Sequence, residues 1–104
     1  MESYQKLVYI GLTEIEAQVY LALYSRKNHV TSAGEIAKEL QRPRSGVYRA
    51  LKQLEAYGFV IKSHIIGAAH FRALPLDHAL VNYADWQRKQ VHELLIQQLA
   101  RQSQ

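Results

Sequence analysis

Basic side chains are concentrated in one quarter of the sequence. Of the 13 Lys and Arg residues, seven lie between positions 26 and 52, together with only two of the nine acidic residues. This stretch therefore carries the whole positive excess of a chain whose net charge is +4. Clustered cations can displace counterions from nucleic-acid phosphates, although a solvated helix face would have the same composition. The seven residues are Arg26, Lys27, Lys38, Arg42, Arg44, Arg49 and Lys52.

Catalytic motifs are missing from the sequence. It has no glycine-rich phosphate loop, no His-Glu-x-x-His zinc motif and no nucleophile elbow around a serine. The absence of cysteine excludes disulfide scaffolds, zinc ribbons and thiol chemistry, and it fits a reducing compartment. We therefore expect no enzyme activity and no cofactor.

The histidines are the only candidates for a metal site. His64 and His70 could face each other across a hairpin, and His78 follows Asp77. Borderline metals need three or four ligands that converge, whereas the histidines are dispersed along the chain. The sequence thus predicts no metal site and leaves a metal-sensing repressor as a minor alternative. The five histidines are His29, His64, His70, His78 and His92.

Two helices are predicted before the basic stretch. Residues 3–10 have the apolar spacing of a short helix, and Gly11 is placed to end it. Thr13 and Glu16 form a Thr-x-x-Glu capping box, which predicts a second helix to about residue 25. Residues 26–31 are predicted to form a loop.

A pair of helices joined by a tight turn is predicted within the basic stretch. Ser32 and Glu35 form a second capping box, which begins a short helix that ends at Leu40. Pro43 cannot continue that helix and suits the first turn of the next one, so a turn must lie at residues 41–42. This is a helix-turn-helix arrangement.

The fourth predicted helix, over residues 43–57, has two chemically different faces. Val47, Leu51 and Leu54 follow the i, i+4, i+7 spacing of a buried face, and Gly58 ends the helix. At 100° per residue, the opposite face is small or cationic and lacks carboxylates. That exposed face consists of Ser45, Arg49, Lys52 and Ala56.

This arrangement predicts contacts with double-stranded DNA, the second helix lying in the major groove. Arg49, with Ser45 and Arg44, is expected at base edges, because arginine can bond two guanine acceptors at once. Lys52 and Arg42 are expected at phosphates. The predicted DNA-contacting residues are Ser32, Arg42, Arg44, Ser45, Tyr48, Arg49, Lys52, Lys62 and Arg72.

After residue 58 the pattern changes from helical to extended. Residues 59–64 and 70–74 are predicted as two strands of a hairpin, connected through residues 65–69. Lys62 and Arg72 are the only cations near its tip. The tip reads Ile-Ile-Gly-Ala-Ala, and it is expected either to pack on a partner subunit or to form a short exposed turn.

The last predicted helix covers residues 77–101. About 25 residues extend about 37 Å, which is more than a small core can cover. The simplest partner for its apolar band is the same band of a second copy in a two-fold dimer, with folding back on its own domain as the alternative. Trp86 and Ile96 lie outside the band and are expected to touch the other subunit. The band consists of Leu80, Tyr83, Ala84, Val91, Leu94, Leu95 and Leu99.

Residues 10–80 resemble the DNA-binding domain of the TrmB-like transcriptional regulators. The most specific matches are Gly-Leu-Thr-Glu at 11–14, Pro-Arg-Ser with Val-Tyr at 43–48, and Phe-Arg-Ala at 71–73. The resemblance implies a three-helix core, a recognition helix that begins near Pro43, a wing over residues 59–74 and a homodimer. Longer members carry a sugar-binding domain, and since this chain stops at Gln104 we expect no small-molecule effector.

The expected fold is mainly α with a small β-hairpin: a winged helix-turn-helix over residues 1–76 and a dimerisation helix over 77–104. No apolar run approaches the roughly 18 residues of a membrane span, and no leader peptide precedes the domain, so we expect a cytoplasmic protein. The expected function is a homodimeric, sequence-specific regulator that binds a palindromic operator. The alternative is a protein-interaction adaptor with the same fold.

Overall fold

The computed structural model describes residues 2–27, 29–65 and 67–102, with side chains from Tyr4 onward. These residues form five helices and a three-stranded antiparallel sheet with the order β1-β3-β2. The helices are α1 (Glu2–Ile10), α2 (Glu14–Tyr24), α3 (Ala33–Leu40), α4 (Arg44–Tyr57) and α5 (Leu76–Gln102). The strands are β1 (Thr31–Ser32), β2 (Val60–Ile65) and β3 (Ala68–Ala73). This architecture confirms the predicted fold class.

The predicted helix starts are present in the structure. The Thr13 hydroxyl accepts a 3.2 Å hydrogen bond from the Glu16 amide, and the Glu16 carboxylate accepts one of 3.0 Å from the Thr13 amide. The Ser32 hydroxyl likewise accepts from the Glu35 amide. The Glu35 carboxylate, however, accepts from the Ser32 hydroxyl and not from its backbone, so only half of the second capping box forms.

The turn between α3 and α4 is tight. Gln41 adopts a left-handed conformation with φ 54°, and the Arg42 amide donates to the Ala37 carbonyl at 3.0 Å. Pro43 is the N-cap of α4 and not its first residue, a shift of one position from the prediction. Gly58 ends α4 with φ 87°, as predicted.

The core lies where α2, α3 and α4 pack against the base of the hairpin. The buried faces of these helices meet Phe59 and Phe71, which are 0% and 1% exposed. Tyr20 of α2 packs edge-on to Phe59, with ring centroids 5.1 Å apart. The fully buried aliphatic side chains include Val19, Leu23, Ile36, Val47, Leu51 and Leu54.

The sheet contains a strand that the sequence did not predict. Thr31 and Ser32, placed in a loop or at a helix start by sequence pattern, pair with Phe71 and His70 of β3. Two residues are too short for a detectable alternation, and their pairing depends on the distant β3. The hairpin strands also extend to Ile65 and Ala68, nearer the tip than predicted.

The first turns of α5 pack on the core, which corrects one prediction. Tyr83 was predicted at a dimer interface, yet it is only 7% exposed, and its ring centroid lies 4.9 Å from that of Tyr57. Trp86 was expected to touch another subunit; in the single chain it is half-buried, and its ring centroid lies 4.6 Å from that of Tyr57. Both side chains close the core beside the end of α4.

The distal part of α5 leaves the core. Every residue from Gln87 to Gln102 is exposed in the single chain. Within the ranges that the structure describes, no helix combines the length and the apolar character needed to cross a membrane.

Candidate nucleic-acid interface

The two faces of α4 are separated as predicted. Val47, Leu51 and Leu54 are all 0% exposed and hold the helix against the core. Ser45, Arg49, Lys52 and Ala56 are exposed. The packing of the leucines therefore fixes the rotation of α4 about its axis, and it directs the cationic side chains outward.

The outward cations of α4 are not neutralised within the chain. In the described part of the chain, Arg44, Arg49 and Lys52 form no ion pair with a carboxylate. The ion pairs found there involve Arg26 with Glu39, Arg42 with Glu14, and Arg88 with Asp85. An exposed cationic face without carboxylates favours contact with phosphate or with the acceptor edge of a base.

The N-terminus of α4 adds to this positive potential. Its N-cap Pro43 provides no side-chain hydrogen bond, and the first turn contains no acidic residue. Free amide groups at a helix start favour anions. The Arg44 guanidinium lies over the start of α3, with its Nε 3.8 Å from the position of a β-carbon built at Gly34.

Tyr48 lies next to the cationic face. Its side chain is 39% exposed, and the Lys52 ammonium lies 5.8 Å from its ring centroid. This distance is within the range of a cation–π contact, which is weak at an exposed site. Tyr48 therefore partly covers Lys52 and remains accessible at the edge of the surface.

Arg42 is directed away from this face. Its Nε donates a 2.8 Å hydrogen bond to the Gln18 Oε1, and a terminal nitrogen lies 3.6 Å from the Glu14 carboxylate. These α2 partners were not identified from the sequence. Their i, i+4 spacing puts them on one face of α2, which is the only signal that could have indicated them.

The Glu14 carboxylate also faces α1. Partial burial raises the pKa of Tyr4, and the neighbouring Glu14 carboxylate raises it further. Tyr4, Glu14 and Arg42 border a surface groove of about 950 Å³ between α1, α2 and the α3–α4 turn. The turn is thus linked through α2 to the first helix.

Ser32 has a structural role in addition to its predicted DNA contact. Its hydroxyl both accepts from the Glu35 amide and donates to the Glu35 carboxylate at 3.1 Å. Its backbone is part of β1. A hydrogen bond donated by this hydroxyl to DNA would have to replace the one it donates to the Glu35 carboxylate.

The two predicted wing cations lie on opposite faces of the hairpin. Lys62 pairs with Phe71, whose side chain is buried, whereas Arg72 pairs with Ile61, which is 38% exposed. Paired residues share a face, and successive residues alternate. The two cationic side chains therefore leave the hairpin in opposite directions. Ile66, at the predicted apolar tip, lies outside the described residues.

The histidines of the hairpin do not face each other. His64 pairs with Ala69 and His70 with Ser63, so the two imidazoles lie on opposite faces, and the predicted proximity is wrong. Among the described residues, no group of three or more His, Asp or Glu side chains could hold a metal ion.

The apolar residues predicted for the dimer contact, apart from Tyr83, are exposed in the single chain. On distal α5, Leu94 is 65% and Leu99 is 60% exposed, whereas Leu80, nearer the core, is 42% exposed. Ala84, Val91 and Leu95 are exposed as well. Ile96, outside the band, is 50% exposed.

The sequence matches a family of transcription regulators. The family model, described as sugar-specific transcriptional regulator TrmB, matches residues 7–77, which include α2 to α4 and the whole hairpin. No curated protein matches the sequence.

Several solved structures share the fold. TrmBL2, an archaeal chromatin protein that shows a novel mode of DNA binding, is 24% identical, with a TM-score of 0.71 over 98% of this chain. The chain spans only 40% of TrmBL2. MepR, which regulates the Staphylococcus aureus efflux pump MepA, is 18% identical, with a TM-score of 0.63 over 93% of this chain and 73% of MepR.

A MepR–DNA complex, also 18% identical, has a TM-score of 0.60 and covers 97% of this chain and 71% of that chain. At these identities the likeness establishes the fold alone.

Proposed function

Because the chain belongs to the TrmB family of transcription regulators, we propose that it is a sequence-specific regulator that binds double-stranded DNA through α4. The observation that carries this proposal is the exposed face of α4, on which Arg49 and Lys52 are free of carboxylate partners in the described chain. Helix α4 is the second helix of the helix-turn-helix, and an α-helix in that position fits the width of the major groove.

The proposed contacts divide by chemistry. Arg49 lies in the middle of the exposed face and reads base edges, with Ser45 and Arg44 nearer the helix start. Lys52 and the free amide groups at the start of α4 bind phosphates. Tyr48 contacts the DNA backbone at the edge of the major groove. The contribution of the wing is limited to one cation at a time, because Lys62 and Arg72 lie on opposite faces.

We propose that the distal half of α5 forms a homodimer. Its exposed leucines cannot be covered by the small core, and a second copy presents the same surface. Two α4 helices related by a two-fold axis would read an inverted repeat with half-sites about 34 Å apart. The operator is therefore proposed to be palindromic.

The proposed division of the chain follows function and not packing. The winged DNA-binding part is residues 1–76 and the dimerisation helix residues 77–104, although Ala79 and Tyr83 of the helix are buried in the core. As a regulator of transcription, the protein is proposed to have no enzyme activity and to act in the cytoplasm.

Selection of bound fragments from a random DNA pool tests the proposal. The protein should enrich one palindromic motif, and the Arg49→Ala variant should lose preference at one or two positions of each half-site. Uniform recovery of all sequences would indicate binding without sequence preference and would contradict the base-reading role of α4.

A second candidate function is a protein-interaction adaptor. It is favoured by the exposed apolar surface, which includes Ile61 and Ile65 on the outer face of the hairpin, at 38% and 42% exposure. An adaptor has no need for a carboxylate-free cationic face, so DNA binding is the better-supported function. Absence of DNA binding at low salt, with an intact fold, would favour the adaptor.

A further inference from the structure

Arg42 differs from Arg44, Arg49 and Lys52 because, in the described part of the chain, its side chain forms both a hydrogen bond and an ion pair with other side chains. We propose that Arg42 positions the recognition helix by bonding to α2, and that it does not contact a DNA phosphate. This inference rests on the proposed function of α4. Its main support is the 2.8 Å hydrogen bond from the Arg42 Nε to the Gln18 Oε1, which joins residues 24 positions apart.

The backbone on both sides of Arg42 is conformationally restricted, and it leads directly into α4. Gln41 on one side is held in a left-handed conformation, and Pro43 on the other has φ −58° and caps α4. The Arg42 amide is bonded to the Ala37 carbonyl. With both neighbours restricted, a side chain held at Arg42 limits how far the backbone at the start of α4 can move.

The start of α4 lies close to the same side of α2. A β-carbon built at Gly46, in the first turn of α4, would lie 3.5 Å from the Cδ1 of Ile15. The bond from Arg42 to Gln18 is made on the same helix, one turn further along. The first turn of α4 thus lies near α2, and the bond from Arg42 to Gln18 joins the turn before it to the same helix.

The hydrogen bond to Gln18 should contribute more than the ion pair with Glu14. The Arg42 and Glu14 side chains are 35% and 66% exposed, and their charged atoms are 3.6 Å apart. Solvent screening makes such a pair weak. The bond to Gln18 is shorter and charge-assisted, so substitutions at position 18 give the cleaner test.

A positioning role and a phosphate-binding role predict opposite effects of removing Gln18. If Arg42 positions α4, Gln18→Ala frees the turn and weakens DNA binding. If Arg42 binds a phosphate, Gln18→Ala releases a competing interaction and leaves binding equal or stronger. Gln18 is uncharged, so this substitution does not itself alter counterion release.

The experiment measures the dissociation constant for selected DNA over a series of salt concentrations. We expect Gln18→Ala and Arg42→Gln each to weaken binding by about three- to tenfold, with the wild-type dependence on salt. Gln90→Ala, at an exposed position of α5, is the control and should bind as the wild type does. The proposal would be overturned if the slope of the logarithm of the binding constant against the logarithm of the salt concentration were smaller in magnitude by about 0.9 in Arg42→Gln. Undiminished binding by Gln18→Ala would overturn it as well.

A second measurement does not depend on DNA. The unfolding equilibrium constants of Arg42→Ala, Gln18→Ala and the double variant should show coupling of about three- to tenfold between the two sites. Coupling without any DNA binding by the wild type would reject the proposed function but retain the bond to α2. DNA binding without coupling would reject the positioning role alone.

Discussion

The side-chain amide of Asn82, on α5, donates a 2.8 Å hydrogen bond to the backbone carbonyl of Gly58, which ends α4. A β-carbon built at Gly58 would lie 2.4 Å from the Asn82 Cβ, and the residue has φ 87°. Only glycine satisfies both the left-handed conformation and this close approach. Helix α4, the hairpin and the last helix are therefore joined at one residue.

Replacing Gly58 by alanine is expected to destabilise the fold. The left-handed conformation costs about 1–2 kcal/mol for a residue with a β-carbon, and the clash with Asn82 adds to this cost. The free energy of unfolding in urea measures the loss. Gly67→Ala is the matched control, since Gly67 has φ 76° but no described neighbouring atom within 4 Å of a built β-carbon.

The difference between the two glycine variants isolates the contact with α5. In both variants the free energy of unfolding should fall by the cost of the left-handed conformation. Only in Gly58→Ala should it fall further, because of the clash with Asn82. Equal losses in the two variants would mean that α5 is not held against Gly58 in solution.

Replacing Arg49 by alanine is expected to weaken specific DNA binding by about 1–3 kcal/mol without changing stability. Arg49 is exposed and contributes nothing to the core, so the effect should appear only in binding. Titration of the selected operator and thermal unfolding measure the two quantities. Lys89→Ala, which removes one exposed charge on α5, should leave affinity nearly unchanged. Equal losses in both variants would contradict a specific contact by Arg49.

Replacing Leu95 by glutamate is expected to convert a dimer into a monomer. Leu95 is 58% exposed in the single chain, so the substitution should not disturb the fold of the subunit. Burying an unpaired carboxylate between two α5 helices should prevent their association. Sedimentation equilibrium measures the mass, and far-ultraviolet circular dichroism checks the helix content.

Lys89→Glu is the matched control for this experiment. Lys89 lies away from the apolar band, and its substitution changes the charge by more than Leu95→Glu does. The Lys89→Glu variant should remain dimeric. A monomeric wild type, or a dimer that survives Leu95→Glu, would require a different role for the exposed leucines.

Replacing Tyr20 by phenylalanine is expected to change stability and its dependence on pH. The Tyr20 hydroxyl donates a 2.7 Å hydrogen bond to the Leu74 carbonyl, and its loss should cost about 1–2 kcal/mol. Burial raises the pKa of Tyr20 well above its ordinary value of 10.0, and Tyr24 and Asp77 add to the rise. Its protonated form is thus favoured by folding.

The sign of the pH effect follows from this raised pKa. The stabilising contribution is complete below pH 10 and is lost as the pH rises through the native pKa, because the unfolded chain ionises first. Urea unfolding between pH 8 and 11 should show a smaller alkaline loss for Tyr20→Phe than for the wild type. An equal loss in both proteins would assign the alkaline transition to other groups.

Local signals in the sequence predicted most of the helical framework. The Thr13 capping box, the cap at Gly58 and the spacing of Val47, Leu51 and Leu54 each depend on residues within two or three turns. The structure confirms all three. The outward direction of Arg49 and Lys52 followed, because a buried face of a helix determines its exposed face.

Features that depend on distant residues were not predicted. Strand β1 exists only because Thr31 pairs with Phe71, 40 positions later. The periodicity of α5 placed Tyr83 in the apolar band of the predicted dimer contact, but that pattern does not show where along its length a helix leaves the core. Arg42 was classed with its basic neighbours, since its bond to Gln18 requires the packing of α2 against the turn.

Because α5 is a continuous helix, the position of its core-bound end determines both the rotation of its distal end about the helix axis and the distance of that end from the core. The helix has no internal glycine or proline, and it is anchored to the core through Tyr83 and Trp86. One residue inserted between Trp86 and Val91 would rotate the distal segment by about 100° and advance it by about 1.5 Å. In the proposed dimer, the rotation of distal α5 relative to the core would thus determine whether the two α4 helices face the same side of a DNA duplex.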